Sequence, residues 1–219
     1  MNAESSPLAQ LADDLLPLHA GPERSVAATK SYIASLAAVV QLVASWADDG
    51  ELAAALRAAP SLLERAWQLD WSAAVTRLTS ANNLYVIGRG TGLAVAQEAA
   101  LKFKETCGLH AEAVSAAELR HGPMALVRGG FPLLVFAQDD ETRAGVVQLA
   151  AELAAQRADV LIAGAQVAEA TVLPSERAHP VIEPLLFAQS FYRMANALSL
   201  ARGHDPDRPP HLAKVTATL

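Results

Sequence analysis

The chain has 219 residues, 52% of them hydrophobic and 18% charged, with a formal net charge of −6. That is enough chain to bury a sizeable core, as one domain with a substantial extra segment. The acidic balance and the lack of any Lys/Arg block argue against nucleic acid as a partner.

Residues 1–25 read as irregular apart from a short strand, Leu15 to Leu18, and a turn at Gly21-Pro22. Glu4, Asp13 and Asp14 with no basic run argue against a signal peptide. From Ser25 to Asp48 apolar residues recur at helical spacing (Ile33, Leu36, Ala37, Val40, Val43), with Ser25 as the expected cap. The 14-residue apolar stretch inside this helix, ASLAAVVQLVASWA, is too short and too polar to span a bilayer, so no membrane partner is expected. Residues 51–80 read as short amphipathic helices broken at Pro60 and near Asp70.

The pattern changes at residue 83. NLYVIG (83–88) is a strand, GRGTG a glycine-rich turn, and a helix runs from Leu93 to Cys107 with Gly108 as its stop. HAEAVS (110–115), FPLLVFA (131–137), DVLIAG (159–164) and TVLP (171–174) read as further strands. Helices are expected at Thr142–Arg157 and Pro184–Arg202, followed by a Pro-rich tail. Alternating strands and helices define an α/β fold with a central parallel sheet and helices on both faces. Ligands of such folds sit beyond the C-terminal ends of the strands. The VIGRGTG turn is either an anion site at a helix N-terminus or a plain tight turn.

Chemistry concentrates in residues 98–123. Glu98, Lys102 and Glu105 fall within an arc of about 60° on one helix. They are either a solvated face held by ion pairs or, since the flanks Ala99, Ala100, Leu101 and Phe103 are apolar, a buried functional set. His121 follows in a loop before Gly122-Pro123. A carboxylate, an ammonium and an imidazole suit proton transfer next to a carbonyl, as in aldose–ketose interconversion. Cys107, the single cysteine, permits no intrachain disulfide, which fits a reducing cytoplasm; it reads as a small buried hydrophobe. The six histidines show no metal-ligand spacing, and no cofactor is expected.

The run GRGTGLAVAQEAALKFKETCGLHAEAVSAAELRHGP resembles the second sugar-isomerase (SIS) subdomain of the double-SIS phosphosugar proteins. Its signature is E-x-A-L-K-x-K-E, then H-A-E-A, then E-[LV]-[KR]-H-G-P. AGPERSVAATKSY (20–32) and LAKVTATL (212–219) resemble the junction after the first subdomain and the C-terminal tail. That family includes the isomerase half of glucosamine-6-phosphate synthase and aminosugar-phosphate deaminases and deglycases.

The resemblance implies a three-layer SIS fold, with a remnant of the first subdomain (1–25), connecting helices (26–72), a second SIS domain (73–202) and a tail acting as a lid (203–219). It implies Glu105 as the base moving a proton between C1 and C2, Lys102 as the group assisting protons between sugar oxygens, and His121, lent by a neighbouring subunit, in ring opening. It implies Lys214 on the tail reaching the carbonyl end, and Val26 and Ala28 lining the sugar pocket. The synthase often carries Ser at the position of Ala28.

The Ser/Thr-rich phosphate loops of the first subdomain have no counterpart in residues 1–19, so a truncated double-SIS protein is expected. Residues 1–219 hold no stretch resembling a glutaminase domain with its Cys nucleophile, so glutamine-dependent transfer is not expected of them. The expected activity is that of a hexosamine 6-phosphate isomerase or deaminase. The alternative is a non-catalytic module that binds sugar phosphates or dimerises. A homodimer is expected in either case, with the apolar 26–80 segment and Trp46, Trp67 and Trp71 either at its interface or packed within the chain.

Overall fold

The computed structural model describes residues 1–214. Its elements are α1 (Pro7–Leu11), α2 (Lys30–Trp46), α3 (Gly50–Gln68), α4 (Ser72–Leu78), β1 (Asn83–Gly88), α5 (Gly92–Cys107), β2 (His110–Ser115), β3 (Pro132–Phe136), α6 (Arg143–Ala155), β4 (Asp159–Ala163), β5 (Thr171–Leu173) and α7 (Glu183–Ala201). The five strands form one parallel sheet in the order β2-β1-β3-β4-β5.

Strand alternation sorts the core into two layers. Leu84, Val86, Leu134, Phe136 and Leu161 pack on α4, α5 and α7 through Leu78, Phe103, Phe187 and Phe191. Tyr85, Ile87, Leu133, Val135 and Ile162 point the other way, onto Val146, Leu149 and Leu153 of α6. The three-layer α/β fold read from the sequence is therefore the observed one. All five strands from residue 83 onward lie where the apolar runs place them. α5 ends as expected, with Gly108 in the left-handed conformation at φ 57°.

The first 70 residues differ from the sequence reading. Leu15–Leu18 forms no strand; the Leu18 amide instead donates to the Met1 carbonyl at 3.1 Å, and Asn2 bonds both Ala20 and Gly21. An apolar tetrad needs a neighbouring strand to become one, and this segment has none. Ser25 does not cap α2, which begins five residues later. Pro60 does not break α3, which is continuous over 19 residues. An interior proline costs about 3 kcal/mol. The buried face formed by Leu52, Ala59 and Ala66 against Ile182, just before α7, and Leu186 of α7 offsets that cost. The break near Asp70 is present, and the Asp70 carboxylate accepts from the Ser72 amide.

The three tryptophans part ways. Trp71 is core, with its indole N–H donating to the Pro174 carbonyl at 2.8 Å. Trp67 is partly exposed at a cavity, and Trp46 stands 86% exposed on α2 beside Val39, Leu42 and Val43.

Candidate active site

α5 is buried on most of its circumference, because it packs on β1, β2 and α7. The Glu98–Lys102–Glu105 arc is therefore withdrawn from solvent, which decides against a solvated face. The Lys102 ammonium stands 3.1 Å from Glu98 Oε1 and 2.8 Å from Glu105 Oε2, with the three side chains 6%, 9% and 23% exposed respectively. Withdrawing such charges from water costs several kcal/mol per ion unless they are paired. The pairing here is double. Burial pushes the Glu98 carboxyl up from its ordinary range, partly opposed by the Lys102 charge and a hydrogen bond from Tyr192.

Lys102 forms part of the wall of a cavity of about 590 Å³. Thr106 continues that wall on α5; Gln189, Tyr192 and Asn196 supply the α7 side; Glu64 and Trp67 supply the α3 side. Ser25, Ala27 and Thr29 close it from the segment before α2, and Pro206 and Asp207 close it from the tail. The tail is fastened there: Ser25 Oγ donates to the Asp207 carboxylate, the Val26 amide to the Asp207 carbonyl at 3.3 Å, and Lys214 Nζ to the Ser25 carbonyl at 2.6 Å.

The predicted residues thus separate by position. Lys102 lines the cavity directly, and Glu105 touches it through the Lys102 ion pair. Val26 and Ala28, both half-buried, alternate with the lining residues Ser25, Ala27 and Thr29 and are not in the wall. Lys214 bridges the rim from outside. His121 ends a short 3-10 turn after the edge strand β2, exposed and outside the cavity.

The cavity also departs from the strand-end position expected of α/β folds. It lies against the second half of α5, toward the N-terminal edge of the sheet. The glycine turn at the strand ends is filled by protein. A Cβ on Gly92 would stand 2.2 Å from Gln138 Oε1, and Gln138 Nε2 donates to the Arg89 carbonyl and to Asp140. With a side chain in the crevice and a carboxylate beside it, the plain tight turn is the better reading.

Sequence reasoning missed Tyr192, Gln189 and Asn196. They recur at i, i+3 and i+7 on α7, a signal that marks one helical face without saying what it meets. Among the described residues no group of three potential ligands could hold a metal ion. No described helix is long and apolar enough to cross a membrane.

The parallel α/β layer thus carries a paired, buried ammonium at the wall of a cavity. Residues 77–168 match the family model for the SIS domain. The chain is similar to the SIS-type phosphosugar proteins and to the isomerase half of glutamine–fructose-6-phosphate aminotransferase. It is 36% identical to that aminotransferase (isomerizing) from Aeropyrum pernix over 233 aligned residues, covering 97% of this chain and 37% of the relative. It therefore spans less than two fifths of that relative's length. A crystal structure assigned as a phosphosugar isomerase from Silicibacter pomeroyi DSS-3 superposes with a TM-score of 0.89 at 44% identity, covering 94% of this chain and 63% of the other. Glucosamine-6-phosphate deaminase from Thermotoga maritima shares the fold at a TM-score of 0.74 and 24% identity, covering 97% and 64%.

Proposed function

We propose that this chain carries the proton-transfer site of a hexosamine 6-phosphate isomerase or deaminase. The observation that carries the reading is the Lys102 ammonium, held between Glu98 and Glu105 at the wall of the cavity. In an aldose–ketose exchange the Glu105 carboxylate takes the carbon-bound proton beside the carbonyl and returns it to the neighbouring carbon. Lys102 stabilises the enediolate oxygen and passes protons between the sugar oxygens. Lys214 and the tail close the site over the carbonyl end, as the fastening of the tail at Ser25 and Val26 supports. Val26 and Ala28 shape the pocket beside the lining residues. His121 serves ring opening from a second copy of the chain, a placement its exposure allows. The protein then works as a cytoplasmic homodimer.

The test is solvent exchange at C2. Hexose and hexosamine 6-phosphates in deuterated buffer should lose the C2 proton signal with the wild-type chain and keep it with Glu105→Gln, which should still bind the ligand. Exchange by the variant at the wild-type rate would refute the role of Glu105.

A second reading, a non-catalytic sugar-phosphate module, is favoured by one observation: Glu105 and His121 do not themselves line the cavity. It predicts thermal stabilisation by a sugar phosphate with no exchange at any dilution.

A further inference from the structure

Lys102 is the cation of the proposed reaction, so whatever fixes its ammonium fixes the site. Two carboxylates flank one ammonium, which leaves the buried group one negative charge in excess. A buried surplus charge needs a donor that brings no charge of its own. Tyr192 is that donor. It reaches across from α7, and its hydroxyl donates to Glu98 Oε1 at 2.7 Å, the oxygen that also faces Lys102 Nζ. The two residues are 94 positions apart in sequence and both buried.

We infer that Tyr192 is a positioning residue that holds the Lys102 ammonium through Glu98, and this rests on the reading of Lys102 as the substrate-facing cation. With the phenol in place, Glu98 stays an acceptor aimed at Lys102, and the ammonium is shared between two carboxylates. Without it, the surplus charge on Glu98 loses its support and Glu98 takes up a proton. Lys102 is then left with Glu105 alone, which both lowers the ammonium's hold on its proton and ties up the base. The groups around Glu98 pull in opposite directions: burial and the Glu105 charge push its carboxyl up, while the Lys102 charge and the Tyr192 hydrogen bond hold it down. Glu98 and Glu105 come from α5, Tyr32 from α2, and Glu23 from the segment before it. The Tyr32 hydroxyl is buried without a hydrogen-bond partner among the described residues, and burial, then the Glu98 charge, pushes it up to about 12. Burial and the same charge push Tyr192 far above the ordinary phenol range, so both phenols remain protonated at neutral pH and Tyr192 is the one that donates to Glu98. α7 lies beyond residues 77–168, so Tyr192, though not its partner Glu98, belongs to a part of the chain that the SIS match does not reach.

The test reads the amine directly and needs no substrate. The full chain is treated with cyanate at pH 8, and carbamoylation of Lys102 is followed by peptide mass spectrometry in wild type, Tyr192→Phe, Glu98→Gln and the double variant. Tyr192→Phe should raise the rate about tenfold, the effect of one pKa unit on the free amine. Glu98→Gln should do at least as much, and the double variant no more than Glu98→Gln alone, because Tyr192 acts through Glu98. Tyr192→Gln, which keeps a donor, should restore a rate near wild type. An unchanged rate in folded Tyr192→Phe, or an effect that persists in the Glu98→Gln background, overturns the inference. Should Tyr192→Phe fail to fold, an unchanged rate in Glu98→Gln overturns it alone. Loss of C2 exchange by the wild-type chain would instead remove the proposed function and leave the labelling result standing.

Discussion

Glu23 caps α2 from eight positions upstream: its Oε1 accepts from the Ser31 amide at 2.8 Å, and also from the Thr29 amide and the Ser31 hydroxyl. A carboxylate there satisfies orphan N–H groups and meets the positive end of the helix. It also explains why Ser25 is free to bond Asp207 in the tail.

A pH dependence follows from that cap. Partial burial raises the Glu23 carboxyl, but the hydrogen bonds from Ser31 and Thr29 outweigh it and hold the group below its ordinary value. A carboxylate with a lowered folded value adds stability that is fully present above the unfolded value and fades as pH falls through the folded one. Glu23→Gln should therefore lower stability at pH 7 by about 1 kcal/mol or less, given the group's exposure. The difference from wild type should vanish in acid. Urea melts from pH 7 down to 3 measure it, and a difference that grows on acidification would contradict the cap.

Arg202, just past the end of α7, gathers the carbonyls that end two other helices. Its guanidinium donates to the Cys107 carbonyl at 2.8 Å on α5, to that of Leu78 at the end of α4, and to those of Thr79 and Ala81 just after it. Arg202→Ala is expected to cost about 2–3 kcal/mol. Arg202→Lys should recover little of it, since an ammonium cannot reproduce the planar fork. Thermal denaturation of both variants checks this; full recovery by Lys would show that charge alone matters.

The glycines of the β1–α5 turn should differ in cost. A Cβ on Gly92 meets the end of the Gln138 side chain, whereas one on Gly88 meets the backbone carbonyl of Gly92 at 2.3 Å. A side chain can shift and a backbone in a packed turn cannot. Gly92→Ala should lose about 1–3 kcal/mol. Gly88→Ala should lose more or fail to fold. Equal midpoints in denaturant would show that the turn yields.

The tail contact is open to hydrogen exchange. Lys214→Ala removes the bonds to the Ser25 and Val26 carbonyls. Exchange in peptides covering 25–29 and 203–214 should rise roughly threefold to tenfold, the scale of an exposed charge-assisted bond. Unchanged protection would mean that the Asp207 contacts alone hold the tail.

Local pattern carried a great deal of this fold. Buried parallel strands are continuous apolar runs, and β1, β3 and β4 were legible for that reason. Gly108 marked the end of α5, because it takes a left-handed conformation that other residues resist. Pro60 misled, since a proline signals a break locally, while the packing of α3 on α7 is a distant term that outweighs it. Leu15–Leu18 misled for the opposite reason: its composition suits a strand, but a strand exists only with a neighbour to bond.

From residue 83 onward the sequence by itself determined the order of strands and helices and the placing of Glu98, Lys102 and Glu105 on one side of α5, because helical and extended repeats are properties of consecutive residues. Only the tertiary structure decided that this side is buried, that Tyr192 completes it and that Glu23 caps α2. It also separated Lys102, in the cavity wall, from Val26, Ala28 and His121. Those outcomes depend on how α7, the pre-α2 segment and the tail pack on α5, and packing between residues some ninety positions apart leaves no mark in any local window of the chain.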